Sequence, residues 1–324
     1  LLRLRFASRA FCRKARAMRR LKLTTRGSPL ALWQAAAVRD ALATRRLDWP
    51  LAEIVTVHSS GERVRDRALS ELGGKGAFCR EIDRPVIAGE ADLAVHSMKD
   101  VETVIDDALV LAAMLPREDA RDAFLSPVAG SLEDLPEGAV VGSSSIRRRA
   151  QLLRWRPDLR VILYRGNVGT RLAKLEAGDA DATILAVSGL KRLGRADAIT
   201  AALDPEVMRP ASGQGAIGVT CRSDDADLVA LLAEIDHGPT HAAVAAERAV
   251  LARLDGSCQT PVAAHATIAN GCMTLDALVL SADGTRWASA RREGAVAAAV
   301  ALGDAAGAEL LAAAGRDLFG SRPT

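Results

Sequence analysis

Aromatic residues are scarce in this 324-residue chain: one tyrosine, four tryptophans and five phenylalanines, 3% of the whole. A surface that stacks the bases of single-stranded nucleic acid needs more than that. Five cysteines (Cys12, Cys79, Cys221, Cys258, Cys272) are odd in number and far apart, with neither CxxC nor a histidine at finger spacing. This excludes a disulfide framework and a zinc ribbon, so no metal site is expected and a reducing, cytoplasmic setting is. Long apolar runs are also missing. The Ala-rich stretch Ala295 to Ala314 carries Asp304 and Glu309, so the sequence offers no segment of about 20 strongly apolar residues, and no membrane partner is expected.

Acidic residues are absent from residues 1–20, which hold eight basic side chains, so the formal net charge of +3 leaves −5 for the rest of the chain. A broad basic face for nucleic acid is therefore excluded, and any anion site must be a local cluster. The basic segment lacks the apolar core of a secretory signal. It reads as an upstream extension of the reading frame ahead of Met18, or as an organelle-targeting segment, and in either case stands outside the fold.

What is present is a soluble-type composition, 49% hydrophobic and 26% charged, on a chain long enough for two or three domains. From residue 21 short β-branched runs alternate with Ala/Leu-rich helical stretches, the pattern of α/β architecture. Strands are expected at 21–25, 53–58, 91–96, 160–164, 182–187 and 217–221. Ser28 and Pro29 open a helix, as cap and first residue. The resulting expectation is two α/β lobes around a cleft, lobe 1 from 21–116 with 216–236 and lobe 2 from 117–215. Residues 237–324 read as a small α+β domain: Thr240 caps a helix, and Asn270-Gly271 and Asp283-Gly284 turn between three strands.

Three strand-to-helix junctions share one chemistry: Thr25-Arg26-Gly27-Ser28, Ser143-Ser144-Ser145-Ile146-Arg147-Arg148, and Arg165-Gly166-Asn167 with Thr170-Arg171. Each joins free helix N–H groups, a hydroxyl and guanidinium groups able to grip a carboxylate or phosphate. Singly, each is an ordinary cap with solvated arginines. Arginine at a helix start opposes the helix dipole, so the recurrence favours a bound ligand with several negative groups. None has P-loop spacing. Asp100, after a buried strand, either caps a following helix or stays ionised among the arginines to stabilise a cation. His58 and His96 read as core or hydrogen-bonding residues, and Cys79, Cys221 and Cys272 as small hydrophobes.

These junctions, with Gly73-Gly74-Lys75-Gly76, Ala94 to Asp100, Ser212-Gly213-Gln214-Gly215-Ala216 and Gly256-Ser257-Cys258-Gln259, resemble the hydroxymethylbilane synthases, or porphobilinogen deaminases, over residues 21 to about 320. The resemblance implies two periplasmic-binding-protein-like lobes plus the C-terminal domain. It also implies a dipyrromethane cofactor attached through Cys258, and head-to-tail joining of four porphobilinogen molecules with loss of ammonia. Asp100 is then the catalytic carboxylate. Lys75, Lys99, Ser145, Arg147, Arg148 and Gly169 are expected to bind the cofactor, and Arg26, Ser28, Arg165, Arg171 and Gln214 the substrate, in a monomer. Three positions depart from the family pattern: Glu62 where a Gly-Asp pair is usual, Glu71 where lysine is common, and Glu102 in place of proline. A two-lobed protein that binds a polycarboxylate without chemistry is the competing reading.

Overall fold

The computed structural model describes residues 20–45, 50–57, 76–254 and 260–315. The segment 1–19, His58, Glu62, Glu71, Gly73, Gly74, Lys75 and Cys258 lie outside the described residues. The first part of the chain runs β1 (Lys22–Arg26), α1 (Pro29–Arg45), β2 (Glu53–Val57), α2 (Gly76–Ile87), β3 (Leu93–Ser97) and β4 (Leu109–Met114). It continues with β5 (Asp122–Leu125), β6 (Val140–Gly142), α3 (Ile146–Trp155), β7 (Arg160–Ile162), α4 (Val168–Glu176), β8 (Ala182–Ala186), α5 (Val187–Arg192), β9 (Ala201–Ala202), β10 (Ile217–Arg222) and α6 (Ala226–Leu232).

Two five-stranded sheets result, ordered β2-β1-β3-β10-β4 and β7-β6-β8-β5-β9. In each, the first three strands are parallel and the fourth runs antiparallel to the third. That fourth strand arrives from the other lobe: residues 115–121 lead into β5, and 203–216 lead back into β10. The two crossings lie side by side, with Leu115 N donating to Ile217 O at 3.1 Å and Glu118 N to Gly215 O at 3.2 Å. The central strands are covered on both faces, which is why β8 reads as a continuous apolar run and is buried at every residue. Helix α1 buries Gln34, Ala35, Val38 and Leu42, a stripe at helical spacing. Leu23, Leu93, Val95 and Val219 form the core of the first lobe, and Phe124, Val141, Leu152 and Ile184 that of the second.

The C-terminal domain comprises α7 (Gly238–Arg253), β11 (Val262–Ala269), β12 (Cys272–Leu280), β13 (Trp287–Ala295) and α8 (Ala299–Ala314). Its strands form an antiparallel meander. Asn270 and Gly271, at φ 51° and 75°, make the expected tight turn. Val250, Met273, Leu275 and Leu310 close its core. It touches both lobes: Val244 of α7 packs with Met98, Met114 and Ala216, while Leu278 and Leu280 pack on Ala150 of α3.

Three expectations are corrected. Thr240 is not the cap of α7: His237 is, its side chain accepting from Thr240 N, because Pro239 occupies the first turn, where its missing N–H costs nothing. No helix follows Asp100, since Met98–Asp100 is a single 3₁₀ turn and the next element is β4. The segment Val296–Ala314 is long and apolar enough to cross a membrane by length and composition, with mean hydropathy 1.6 over its most apolar window, because two acids do not offset its alanines and leucines. In this fold α8 packs against α7 and the meander, placing Ala306 and Leu310 in the domain core.

Candidate active site between the lobes

Strand β3 is buried from Leu93 to His96 and ends in the turn that carries Asp100, the strand-end position at which open α/β sheets place ligands. The strand is fixed by two polar networks. His96 Nε2 lies 2.9 Å from Asp83 Oδ1 and 3.2 Å from Thr220 Oγ1, so His96 has the hydrogen-bonding role expected of it. Ser97 Oγ exchanges hydrogen bonds with the Gln34 side-chain amide of α1 at 2.8 and 3.0 Å. Met98 is 2% exposed and its N–H donates to Ala216 O at 3.1 Å. A Cβ at Gly218 would strike the Met98 thioether, so glycine in β10 is what seats this turn.

Asp100 and Lys99 are half-buried at the turn's end. Cys79 of α2 donates its thiol hydrogen to Asp100 O at 3.1 Å, and burial, then the charge of Asp100, push that thiol's pKa well above the usual range. Arg26, at the end of β1, acts on the same thiol in the opposite sense. Glu102, the residue in place of proline, pairs with Arg80 of α2 at 3.0 Å on an exposed surface, a contact worth about 1 kcal/mol at most.

Lobe 2 contributes the arginines. Asn167 caps α4, its Oδ1 accepting from Thr170 N at 2.9 Å. Gly166 ahead of it has φ +129°, and a Cβ there would lie 2.7 Å from the Thr170 side chain, so the Arg165-Gly166-Asn167 turn requires glycine. Half-buried Arg171, one turn into α4, has its pKa pushed down to about 10 by burial, with Arg148 and Arg165 adding to the drop and Asp100 opposing it. Its Nε is buried and has no hydrogen-bond partner among the described residues. The three arginines and Asp100 therefore share one electrostatic neighbourhood, although they come from two helix-start junctions and the turn after β3.

The other expected site residues are placed as follows. Ser28 Oγ accepts from Ala31 N at 3.4 Å in the first turn of α1. Ser145 caps α3, accepting from Arg148 N at 3.4 Å. Gly169 lies exposed in the first turn of α4, where a Cβ would meet only an ordinary contact with Asn167. Arg147 and Arg148 are 5% and 6% exposed and both pair with Asp122, at 2.6 and 2.7 Å. Arg148 also donates to Ile184 O at 2.9 Å, and Arg147 to Arg209 O. Gln214, expected beside the substrate, is 1% exposed, and its Nε2 donates to Ala120 O at 2.7 Å and Asp122 Oδ1 at 2.8 Å. From there it ties the second crossing to lobe 2.

Asp122 was missed from the sequence. Burial opposes its ionisation, but the charges of Arg147 and Arg148 prevail and hold the carboxyl well below the usual carboxylate range. Two guanidinium groups against one carboxylate leave a net positive charge at the start of α3. The available signal was an acid directly after the first crossing, at the head of a short apolar run. Among the described residues no cluster of three or more metal-ligating side chains occurs.

A family model described as porphobilinogen deaminase, dipyromethane cofactor binding domain, matches residues 21–230, and one described as porphobilinogen deaminase, C-terminal domain, matches 241–312. Porphobilinogen deaminases of Nitrobacter hamburgensis and Nitrobacter winogradskyi are each 49% identical over 296 residues, 91% of this chain and 94% of theirs. Among solved structures, a Bordetella pertussis BvgS VFT2 domain is similar over 71% of this chain and 91% of its own, at 17% identity and TM-score 0.43. With both domain models matched across most of its length, the chain belongs to the porphobilinogen deaminase family.

Proposed function

We propose that the neighbourhood of Asp100, Arg148, Arg165 and Arg171, with Arg26 facing it from β1, binds and polymerises porphobilinogen. The chain is a transferase of tetrapyrrole biosynthesis, a hydroxymethylbilane synthase with a dipyrromethane cofactor. It joins four porphobilinogen molecules head to tail with loss of ammonia, giving the linear tetrapyrrole.

The observation that carries the residue assignment is Arg171, a desolvated guanidinium with like charges beside it and a buried Nε without a partner. Such a group is stabilised by an incoming carboxylate. Each pyrrole of porphobilinogen and of dipyrromethane bears an acetate and a propionate, so the donor set suits both. Arg148, Arg165 and Arg171 hold these carboxylates, with Lys99 and the α3 N-terminus at Ser145 beside them and Cys258 as the thioether anchor. Bound dipyrromethane supplies the free pyrrole α-carbon at which the chain is extended.

Arginines that recognise the carboxylates also disfavour the cation left when porphobilinogen releases ammonia. Asp100 is the counter-charge: a fixed carboxylate that stabilises this developing positive charge and accepts hydrogen bonds from the pyrrole N–H. A polycarboxylate-binding protein would need the arginines but would give Asp100 no work, which is why the non-catalytic reading is not favoured. The enzyme acts on small molecules in the cytoplasm, as a monomer without nucleic-acid or membrane partners; the acidic remainder after residue 20 speaks against a nucleic-acid partner.

The test is the intact mass of the purified chain beside Cys258→Ala. One dipyrromethane in excess, present with Cys258 and absent without it, is expected. An unmodified wild-type chain that still binds porphobilinogen would favour the binding protein, and light scattering of the same sample checks the monomer.

A further inference from the structure

Asp100 ends the 3₁₀ turn, and residues 101–103 follow it ahead of β4 and belong to no strand. No backbone N–H of the described residues donates to their four carbonyls. Backbone acceptors in a partly buried segment must be satisfied from somewhere. Two side chains take all four. Cys79 of α2 donates to Asp100 O at 3.1 Å, and Arg248 of α7 donates to Val101 O at 3.4 Å, Glu102 O at 2.7 Å and Thr103 O at 2.9 Å.

Arg248 does not act alone on its helix. Val244, one turn earlier and so on the same face, is 0% exposed and packs in one cluster with Met98, two residues before Asp100. Helix α7 thus grips the catalytic turn on both sides of Asp100: apolar contact at Met98, and a planar fork spread over the carbonyls at 101–103. The helix ends at Arg253, a few residues before Cys258. The element that leads to the cofactor anchor is therefore the one that fixes the carboxylate.

We infer that Arg248, seconded by Cys79, is a positioning residue for Asp100, holding its backbone from the C-terminal domain so that the carboxylate stays aimed at the reacting pyrrole. The inference rests on the role proposed above for Asp100. An arginine is needed because its fork reaches several acceptors at fixed geometry; a lysine ammonium is a single point on a flexible stem. Neither side chain is asked to touch the substrate. Loosening a carboxylate by about an ångström costs up to about 100-fold in rate.

The experiment uses the full chain, with dipyrromethane content confirmed by mass for every variant. Arg248→Met keeps the stem and removes the fork, and Arg248→Lys keeps the charge. Arg248→Met is expected to lower kcat by about 10- to 100-fold with KM for porphobilinogen within about twofold, and Arg248→Lys to recover only part. Amide hydrogen exchange in a peptide covering 98–103 should accelerate in Arg248→Met. Unchanged exchange, or turnover within twofold of the parent, overturns the inference. Should the Arg248 variants lose their cofactor or fail to fold, the thiol decides: Cys79→Ala is expected to slow turnover and Cys79→Ser, which keeps a donor, to restore it, whereas equal activity overturns the inference. Asp100→Asn separates the two readings. Full turnover in that loaded variant refutes the role of Asp100 itself, while an inactive Asp100→Asn beside a fully active Arg248→Met refutes only the positioning.

Discussion

Arg117 and Glu247 meet in a two-point pair, Nη1 to Oε1 at 2.6 Å and Nη2 to Oε2 at 3.2 Å, with the carboxylate side chain fully buried. The same carboxylate accepts from Gly213 N at 2.6 Å and Ala266 N at 2.8 Å. Arg117 lies in the first crossing, Gly213 in the second, Ala266 in β11 and Glu247 on α7, so one side chain joins both crossings to the C-terminal domain. Arg117 adds a bond to Gln214 O at 2.8 Å.

This arrangement predicts a large cost for breaking the pair from one side. Glu247→Ala leaves a buried guanidinium and two N–H groups without partners and should destabilise the protein by about 3–5 kcal/mol. Arg117→Met strands the carboxylate and should cost a similar amount. Urea unfolding of both single variants and of the double variant checks this, since partners in one network give a double loss well below the sum. Additive losses would show that the two groups act separately.

A second prediction concerns Asp122. From sequence, Arg147 and Arg148 are expected to bind the carboxylates of the cofactor rather than to hold the fold. The fold brings Asp122 to both, so replacing either by leucine removes one buried, charge-assisted partner of the carboxylate while the other remains, and should lower stability by about 1–3 kcal/mol besides impairing turnover. The pH dependence has a definite sign. The carboxyl is held below its unfolded value, so its contribution is complete above an unfolded pKa of about 3.9 and is lost as the pH falls through the lower, folded value. Acid unfolding below about pH 4 should become shallower in Asp122→Asn.

What could be read from the sequence was local. The buried run into Asp100 and the Asn270-Gly271 turn are set by neighbours in the chain, and the hydrogen bonds of Ser28, Ser145 and Asn167 each span three residues. The rest depends on partners far along the chain. Asp122 reaches Arg147 over 25 residues, Arg117 reaches Glu247 over 130, and Arg248 reaches Glu102 over 146. No periodicity encodes such pairings. A single glutamate in the Ala-rich run of α7 was the one mark of a buried polar junction, and it resembles a surface charge until the helix is packed.

The thiols give a third prediction. Cys79 and Cys221 are buried as expected of small hydrophobes, but Cys272, expected to pack likewise, is exposed, because it opens β12 directly after the Asn270-Gly271 turn. Burial, then Asp225, pushes Cys221 up to about 11, and Cys79 is pushed further in the same direction. Iodoacetamide should modify the exposed Cys272 in the native protein and leave the buried Cys79 and Cys221 unmodified until denaturant is added. Peptide mapping reads the order directly, and early modification of Cys79 would contradict its burial against Asp100.

The last prediction concerns Asp100, whose competing role as the cap of a following helix is removed by the fold: the turn Met98–Asp100 leads through a loop to β4. Asp100→Asn keeps the shape and hydrogen-bonding capacity of the side chain while deleting its charge. Thermal stability should therefore stay close to that of the parent. Turnover should fall by about two orders of magnitude or more, the scale of losing one electrostatic stabiliser, because the positive field of Arg165 and Arg171 would then act on the developing cation without that counter-charge. Asp100→Glu keeps the charge and shifts it by one methylene, so it should retain more activity than Asn and less than the parent. Mass spectrometry of each variant is the control, since a chain that never acquired dipyrromethane is inactive for a different reason. A loaded Asn variant with full turnover would remove Asp100 from the chemistry and leave the arginines as a binding site alone.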